Sequence, residues 1–523
     1  EEVTDIVENL LDPSMETFRP ETPPVTPPKA LSKKERFLWL KNTATKKDLS
    51  EGIKDPDSQS IEELIEWLSL AKRVDPMMES VIQEWINEKV AASAPMRAKT
   101  GETIDLELVT IPKMEPVNKT IISNPGGPLT TDTSFNSFYA TVENAPDFLS
   151  YNLDGFVMEP PDEKGVERYV RPLKGVPLYR EPAAQLINAV EATKHFNNYR
   201  KNEAIVLGGR LTPETTAWGY ASKDIKKEPV FISDWRIPEG TTLYAIGDIH
   251  SGIHSLAAIL KHIGVTDDWK LPFRTKVIFC GDYVDRGPYG IECLYAVTKL
   301  HMTNPDTVRL IEGNHEDPGT YSRYGFAAEM VEQYSEDLET AMDATVKMLR
   351  TMPAAIFVRL DTHTKMIQFC HGGMVLPEHE TYAALKNGVM TEQMTMISEN
   401  ALGHPLKWGD FRNGREDVTD KRNGRTRRGI HSTIAYCDDL DLLGIISGHQ
   451  DYYNFQVQAT PLTAEKLGFK DSILREVDLS IIAAVPGESV TIPMGEDVLA
   501  VITSAAMPVR DNIEYPSFIK ISI

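Results

Sequence analysis

The chain has 523 residues, of which 41% are apolar and 25% charged, and its formal net charge is −22. That length allows about three domains with substantial cores, and the acidic balance argues against broad binding to nucleic acid or anionic membrane surfaces. No run approaches the roughly eighteen apolar residues of a membrane span, and the amino terminus lacks the basic-then-apolar pattern of a signal peptide. Four cysteines, Cys280, Cys293, Cys370 and Cys437, form no Cys-x-x-Cys pair. Cys280 and Cys370 fall in apolar runs and read as reduced core residues of a cytoplasmic or other reducing intracellular compartment.

Residues 1–30 are acidic and proline-rich, with Pro20, Pro23, Pro24, Pro27 and Pro28 close together. Such a segment forms neither helix nor central strand and is expected as an extended, polyproline-like arm. A partner surface or a large assembly, a virion among them, is the expected holder of that arm. The opening Glu-Glu without Met is read as proteolytic maturation or trimmed numbering. Residues 31–95 read as helical. Leu31 to Thr43 is a short amphipathic candidate, and Ser60-Ile-Glu-Glu63 is a capping box that opens a helix with Ile61, Leu64, Ile65, Leu68 and Ala71 on one face. Asp75-Pro76 then starts a second helix carrying Met78, Val81, Ile82, Trp85, Ile86 and Val90, so an αα-hairpin is expected.

Residues 96–237 read as a mixed α/β extension with a docking or regulatory role. Thr103 to Val109 alternates Ile104, Leu106 and Leu108 with polar residues, as a half-buried strand does, and Asn124-Pro-Gly-Gly-Pro is a turn. Pro182 to Tyr199 reads as a helix. Gly208-Gly209-Arg210 lacks the Gly-Lys-Ser/Thr of a phosphate loop and reads as a turn.

The chemistry concentrates between Leu243 and Glu316. Three short apolar runs, suited in length and β-branched content to buried strands, each end in a glycine followed by metal-binding or acid–base side chains. They read Gly-Asp248-Ile-His250, Gly-Asp282-Tyr-Val-Asp285-Arg286-Gly and Gly-Asn314-His315-Glu316. Helical periodicity over Ile253 to Ile263 and Ile291 to Leu300 separates them, so the order is βαβαβ with parallel strands. Ligands of such sheets sit outside the carboxyl ends of the strands, where these polar residues fall. Asp248, His250, Asp282 and Asn314 are donors suited to Mn, Fe or Zn rather than to a structural thiolate site. Two further histidines close strand-like runs, in Phe-Cys-His371-Gly-Gly and Ser-Gly-His449-Gln, and make up the donors for a second metal.

These motifs, in this order, resemble the phosphoprotein phosphatase family of calcineurin-like metallophosphoesterases. Supporting matches are Arg323-Tyr-Gly-Phe, Met352-Pro-Ala-Ala-Ile, Lys407-Trp-Gly-Asp, Arg428-Gly and the closing strands at Ala500 and Phe518. The resemblance covers about residues 238–523 and implies an α/β fold, the calcineurin-like αβ sandwich, there. It further implies two divalent ions, Mn foremost. Asp248, His250 and Asp282 would hold one; Asn314, His371 and His449 would hold the other, with Asp282 bridging. His315, oriented by Asp285, would be the general acid, and Arg286, Arg428 and Asn314 would bind phosphate. The implied activity is hydrolysis of phosphoserine, phosphothreonine or phosphotyrosine in phosphoproteins.

Departures from the family pattern are Ser251 where a glycine usually follows the first histidine, Ser447-Gly448 before the last ligand, and Ser504-Ala-Ala-Met-Pro508-Val509 in place of the segment over the site. None removes a ligand. Lys407, Arg412, Arg415, Lys421, Arg422, Arg425, Arg427 and Arg428 form a basic stretch, read as a solvated loop from which Arg428 alone enters the site, although Arg425, Arg427 and Arg428 crowd one loop and could exchange roles. The rival readings are a nucleotide hydrolase of the diadenosine tetraphosphatase type and a structural or decoration protein of a viral particle that retains the fold.

Overall fold

The structure, a computed structural model, describes residues 102–114, 129–130, 132–143 and most of 232–523, with a few short strands and scattered helical positions elsewhere. The arm, the helix expected at Leu31 to Thr43, the turn at Asn124, the helix expected at Pro182 to Tyr199, Gly208 to Arg210 and residues 506–514 lie outside the described residues. The chain forms two compact units, Glu1–Ala94 and Pro95–Ile523. In the first, Leu64, Leu68, Ala71 and Ile82 are helical and buried, as the apolar faces of the two expected helices require.

The second unit opens with strand β1 (Ile104–Thr110), helix α1 (Phe135–Glu143) and β2 (Ile232–Ile237). A βαβαβ series follows: β3 (Thr242–Ile246), α2 (Ile253–Ile263), β4 (Thr275–Phe279), α3 (Gly290–Thr303) and β5 (Val308–Leu310). Next come α4 (Pro318–Tyr324), α5 (Phe326–Tyr334), α6 (Leu338–Leu349), β6 (Ala355–Leu360) and β7 (Met366–Cys370). Helix α7 (Gly403–Trp408) leads to the short strands β8 (Asp410–Phe411), β9 (Val418–Thr419) and β10 (Thr426–Arg428), then α8 (Ile430–Asp439) and β11 (Leu442–Ser447). Strands β12 (Phe455–Ala459), β13 (Ser480–Ile482), β14 (Ser489–Met494), β15 (Val498–Thr503) and β16 (Ser517–Ser522) complete it.

One sheet runs β14-β1-β16-β3-β4-β5 and the other β13-β12-β15-β11-β7-β6-β2. Strands β3, β4 and β5 pair in parallel, with Ile246 level with Phe279 and Phe279 with Leu310. Their carboxyl ends therefore form one edge. In the other sheet β7, β11 and β15 are likewise parallel neighbours. The inner faces share one core, in which Leu106, Ala245, Ile278 and Ile519 of the first sheet meet Val358, Phe369, Ile446 and Val501 of the second. Helices α2, α3 and α5 cover the outer face of the first sheet through Leu256, Val297 and Met330, and α8 covers the second through Tyr436 and Cys437. This is the expected αβ sandwich. All four cysteines are free and buried, as the apolar runs around two of them predict.

Strand β1 has a place that its local pattern does not reveal. It lies inside the first sheet, antiparallel to both β14 and β16, with Leu106 opposite Ile492 and Ile521. Residues Ile104–Thr110 thus belong to the sandwich rather than to an extension beside it. The segment around α1 is also tied down, because the Trp269 indole N–H donates to Thr133 O at 2.9 Å and Tyr295 Oη to Thr130 O at 2.6 Å. Phe135 stacks edge-on against Trp269 with centroids 5.2 Å apart.

Leu108 is buried between two neighbours in the sheet. Leu108→Ala should therefore cost about 2–5 kcal/mol, as truncation of a core leucine does. Denaturant unfolding checks this, and a loss below about 1 kcal/mol would show that β1 is only loosely attached.

Candidate active site

Six of the expected ligands come from the carboxyl edges of both sheets. Asp248 and His250 follow β3, Asp282 follows β4, Asn314 follows β5, His371 follows β7 and His449 follows β11. All are buried except for a small exposed part of His449. His250, Asp282 and His449 adopt positive φ angles of 42°, 54° and 69°, a region that costs a non-glycine residue about 1–3 kcal/mol. Ser251, at the position where the family pattern has glycine, has φ 61°. Its hydroxyl donates to Asp285 O at 3.1 Å and helps to hold that turn.

The imidazoles are fixed by backbone carbonyls. His250 Nδ1 lies 2.9 Å from Val284 O, and His371 Nδ1 lies 2.9 Å from Cys280 O. These carbonyl partners make Nδ1 the donor in both rings and turn Nε2 toward the other polar side chains. His371 Nε2 lies 2.8 Å from Asn314 Oδ1 and 3.1 Å from Asp282 Oδ2. Asn314 Oδ1 also lies 2.8 Å from His449 Nδ1. His250 Nε2 has no hydrogen-bond partner, although Asp282 Oδ2 stands 3.3 Å away. His250 Nε2 thus sits buried and unpartnered beside a carboxylate, which is unfavourable unless positive charge lies between them. Burial pulls His371 down, but the Asp282 and Asp248 carboxylates outweigh it and lift this imidazole to about 9. Burial pushes Asp248 up to about 6 against the pull of His371. The donors fit two cations that share Asp282, since His250, Asp282 and His315 form one cluster of potential ligands and Asp282, His371 and His449 another.

His315 and Asp285, expected as a general acid and the group that orients it, also come together. His315 Nδ1 lies 2.7 Å from Asp285 Oδ2, while Asp285 Oδ1 accepts from Phe326 N at 2.9 Å. Burial depresses His315 and raises Asp285 to about 7. Arg286 Nη2 approaches His315 Nε2 at 3.4 Å. Its Nη1 pairs with Asp451, a buried carboxylate that no sequence motif singled out.

Arg428, expected as the second phosphate clamp, is engaged elsewhere, since its Nη1 pairs with Asp417, which also accepts from Gly429 N at 2.9 Å. The guanidinium that reaches the site is that of Arg425, which touches His449 Nε2, lies 2.8 Å from Asp410 Oδ1 and packs over Trp408 at 5.7 Å. Nor is the described part of the basic stretch a solvated loop. Lys407 is buried in a 2.9 Å pair with Glu312, and the Arg412 side chain donates to Glu416 O at 3.3 Å. Three arginines within four residues gave no signal for which one enters; the carboxylates of Asp410 and Asp417 sort them.

Glu316 fastens the two loops that carry Asp282 and Asn314. Its carboxylate accepts from Asp282 N at 2.8 Å, Tyr283 N at 2.9 Å and Gly313 N at 2.8 Å. A Cβ at Gly313 would collide with the Asp282 carboxylate and Glu316 Oε2, so the approach needs glycine. Burial pushes the Glu316 carboxyl up to about 8, helped by the Asp282 charge and opposed by the backbone donors. Glu316→Gln turns one acceptor oxygen into an amide that points at backbone N–H groups. It should lower unfolding stability by about 1–3 kcal/mol in calorimetry or denaturant titration, the cost of unsatisfied buried donors.

Residues 241–453 match the family model of the calcineurin-like phosphoesterases. The chain is 30% identical over 146 residues to serine/threonine-protein phosphatase 7 of Arabidopsis thaliana, covering 27% of this chain and 33% of that protein. It is 26% identical over 244 residues to a protein phosphatase 2A catalytic subunit of Dictyostelium discoideum, covering 46% of this chain and 71% of that one. Among solved structures, a Saccharomyces cerevisiae protein serine/threonine phosphatase similar to human phosphatase PP5 aligns at 16% identity and TM-score 0.38, covering 54% of this chain and 74% of that one. The chain thus spans about a third of the length of the plant relative. Nothing in these relatives supports a component of a viral particle, and no helix among the described residues is long and apolar enough to cross a membrane. Over its matched segment the chain has the calcineurin-like two-sheet fold and resembles the serine/threonine protein phosphatases.

Proposed function

We propose that the chain is a metal-dependent phosphomonoesterase acting on phosphoserine or phosphothreonine in proteins, with phosphotyrosine as a second substrate. One observation carries this reading: the buried imidazoles of His250, His371 and His449 crowd the Asp282 carboxylate and the Asn314 amide oxygen at 2.8–3.3 Å, with His250 Nε2 left without a hydrogen-bond partner, and this donor set suits cations. Asp248, His250 and Asp282 would hold one ion, and Asp282, Asn314, His371 and His449 the other. Mn is the expected ion, and Fe or Zn also suit the donors. When bound, two such ions supply Lewis acidity toward a phosphoryl group and acidify water for attack at neutral pH.

The chain's own residues then divide the remaining work. Asp285 accepts the Nδ1 proton of His315 and directs Nε2 into the pocket, so that His315 delivers a proton to the leaving oxygen. Arg286 reaches the pocket beside His315 and binds phosphoryl oxygens, and Arg425 takes the place expected of Arg428 on the His449 side. The preference for phosphoproteins over other phosphomonoesters is supported by the names of the relatives and by the Tyr-Gly-Phe and Trp-Gly-Asp matches.

Metal-stripped protein titrated with Mn, Zn, Fe or Mg should recover turnover of p-nitrophenyl phosphate and of phosphoserine peptides; silence with every metal would overturn the reading. Asp282→Asn should disturb both ions and lower turnover by at least about 100-fold. His315→Ala should slow phosphoserine peptides by about 10²–10⁴-fold, yet p-nitrophenyl phosphate far less, because its leaving group hardly needs a proton. Equal losses on both substrates would remove His315 from the acid role.

A further inference from the structure

Asp451 lies two residues beyond His449, on the loop after β11, with its side chain only 6% exposed. Its Oδ2 stands 4.0 Å from His250 Nε2 and pairs with Arg286 Nη1. Asp248, His250 and Asp451 each offer a ligand atom, and these atoms lie within 4.8 Å of one another. A cluster of acids alone would say little, but His250 supplies an independent sign. Its ring is fully buried, its Nδ1 is committed to Val284 O, and its Nε2 has no hydrogen-bond partner. That lone pair points among the carboxylates of Asp282 and Asp451, the one arrangement that a cation at their centre turns from repulsive to favourable.

We propose that Asp451 is a further protein ligand of the metal pocket built by Asp248 and His250. The inference rests on the reading of this site as a metal centre. Its consequence is an asymmetry between the two pockets. The first would offer three carboxylates, Asp248, Asp282 and Asp451, and a single imidazole. The second would offer the carboxylate of Asp282, the amide of Asn314 and the imidazoles of His371 and His449. Hard oxygen donors suit Mn²⁺ and Mg²⁺, whereas imidazole-rich sets suit Zn²⁺ and Fe. The first pocket is therefore the Mn²⁺ pocket, and Zn²⁺ prefers the second. Arg286 completes the arrangement as the group that orients the Asp451 carboxylate, the role that outer groups play toward metal-binding carboxylates.

The test is calorimetric titration of metal-stripped, full-length protein with Mn²⁺ and separately with Zn²⁺, together with metal content after dialysis. Wild type should bind two ions. Asp451→Ala should weaken one Mn²⁺ site by at least the ~10–100-fold that loss of an outer-shell partner costs, and leave the tighter Zn²⁺ site unchanged. The near-isosteric Asp451→Asn should weaken the same site to a lesser degree, and it decides the matter if the alanine variant does not fold. Two unchanged Mn²⁺ constants in a folded variant would overturn the assignment. Asp451 would then act only through Arg286, and Arg286→Met and Asp451→Ala would weaken binding of inorganic phosphate alike. Wild type that binds neither metal would instead overturn the metal-centre reading itself.

Discussion

The site depends on one buried carboxylate that is not itself a ligand. Glu316 gathers backbone N–H groups from the loop after β4 and from the loop after β5, and so sets the distance between Asp282 and Asn314. A buried carboxylate is costly unless its oxygens are satisfied, and three backbone donors satisfy it. The same fastening brings His315 N to 2.9 Å from Asp282 Oδ1, so these two side chains share one rigid frame. Parallel pairing of β3, β4 and β5 delivers the three loops to a common edge, and Glu316 turns that coarse placement into a fixed geometry.

Strain completes the placement. His250, Ser251, Asp282, Asp285, Arg286 and His449 all have positive φ, and all lie in or beside the pocket. Each such residue costs about 1–3 kcal/mol and persists only where surrounding bonds over-determine it. Here they do. Ile249 N and His250 N both donate to Asp282 O at 3.0 and 2.9 Å, Ser251 N donates to Tyr283 O at 3.0 Å, and Arg286 N donates to Tyr324 O at 3.1 Å. His449 N donates to the Asp248 carboxylate at 2.9 Å, which binds the two sheets at their edges. The stability that holds these turns comes from the sandwich core, and the turns use it to aim side chains from separate loops at one point.

The frame was legible in sequence wherever local chemistry decides it. Apolar runs marked β3, β4, β5, β7 and β11, and the structure brings the polar residues after each run to one place, because a parallel sheet leaves only its carboxyl edge open. Helices α2 and α3 followed from apolar spacing. What escaped was decided at a distance. β1 reads as a strand, but its pairing with β14 and β16 joins opposite ends of the unit, and no local pattern encodes that. The choice of Arg425 over Arg428 rests on Asp410 and Asp417, and Asp451 belongs to no motif, because its partners His250 and Arg286 come from other loops.

Charge balance ties these observations together. The two guanidinium groups that reach the pocket are each already matched, Arg286 by Asp451 and Arg425 by Asp410. Asp248, Asp282 and Glu316 add further carboxyl groups within the same buried space. Protein side chains alone would therefore present a doubly charged phosphate with little net attraction, and a chain of net charge −22 offers no compensating field. Paired arginines still have donors to offer, since each guanidinium carries five N–H groups in a fixed fork. They are suited to orienting a phosphoryl group rather than to supplying the charge that holds it. On the proposed reading that charge would come with bound cations, so that ion loading and phosphate affinity become two aspects of one electrostatic requirement.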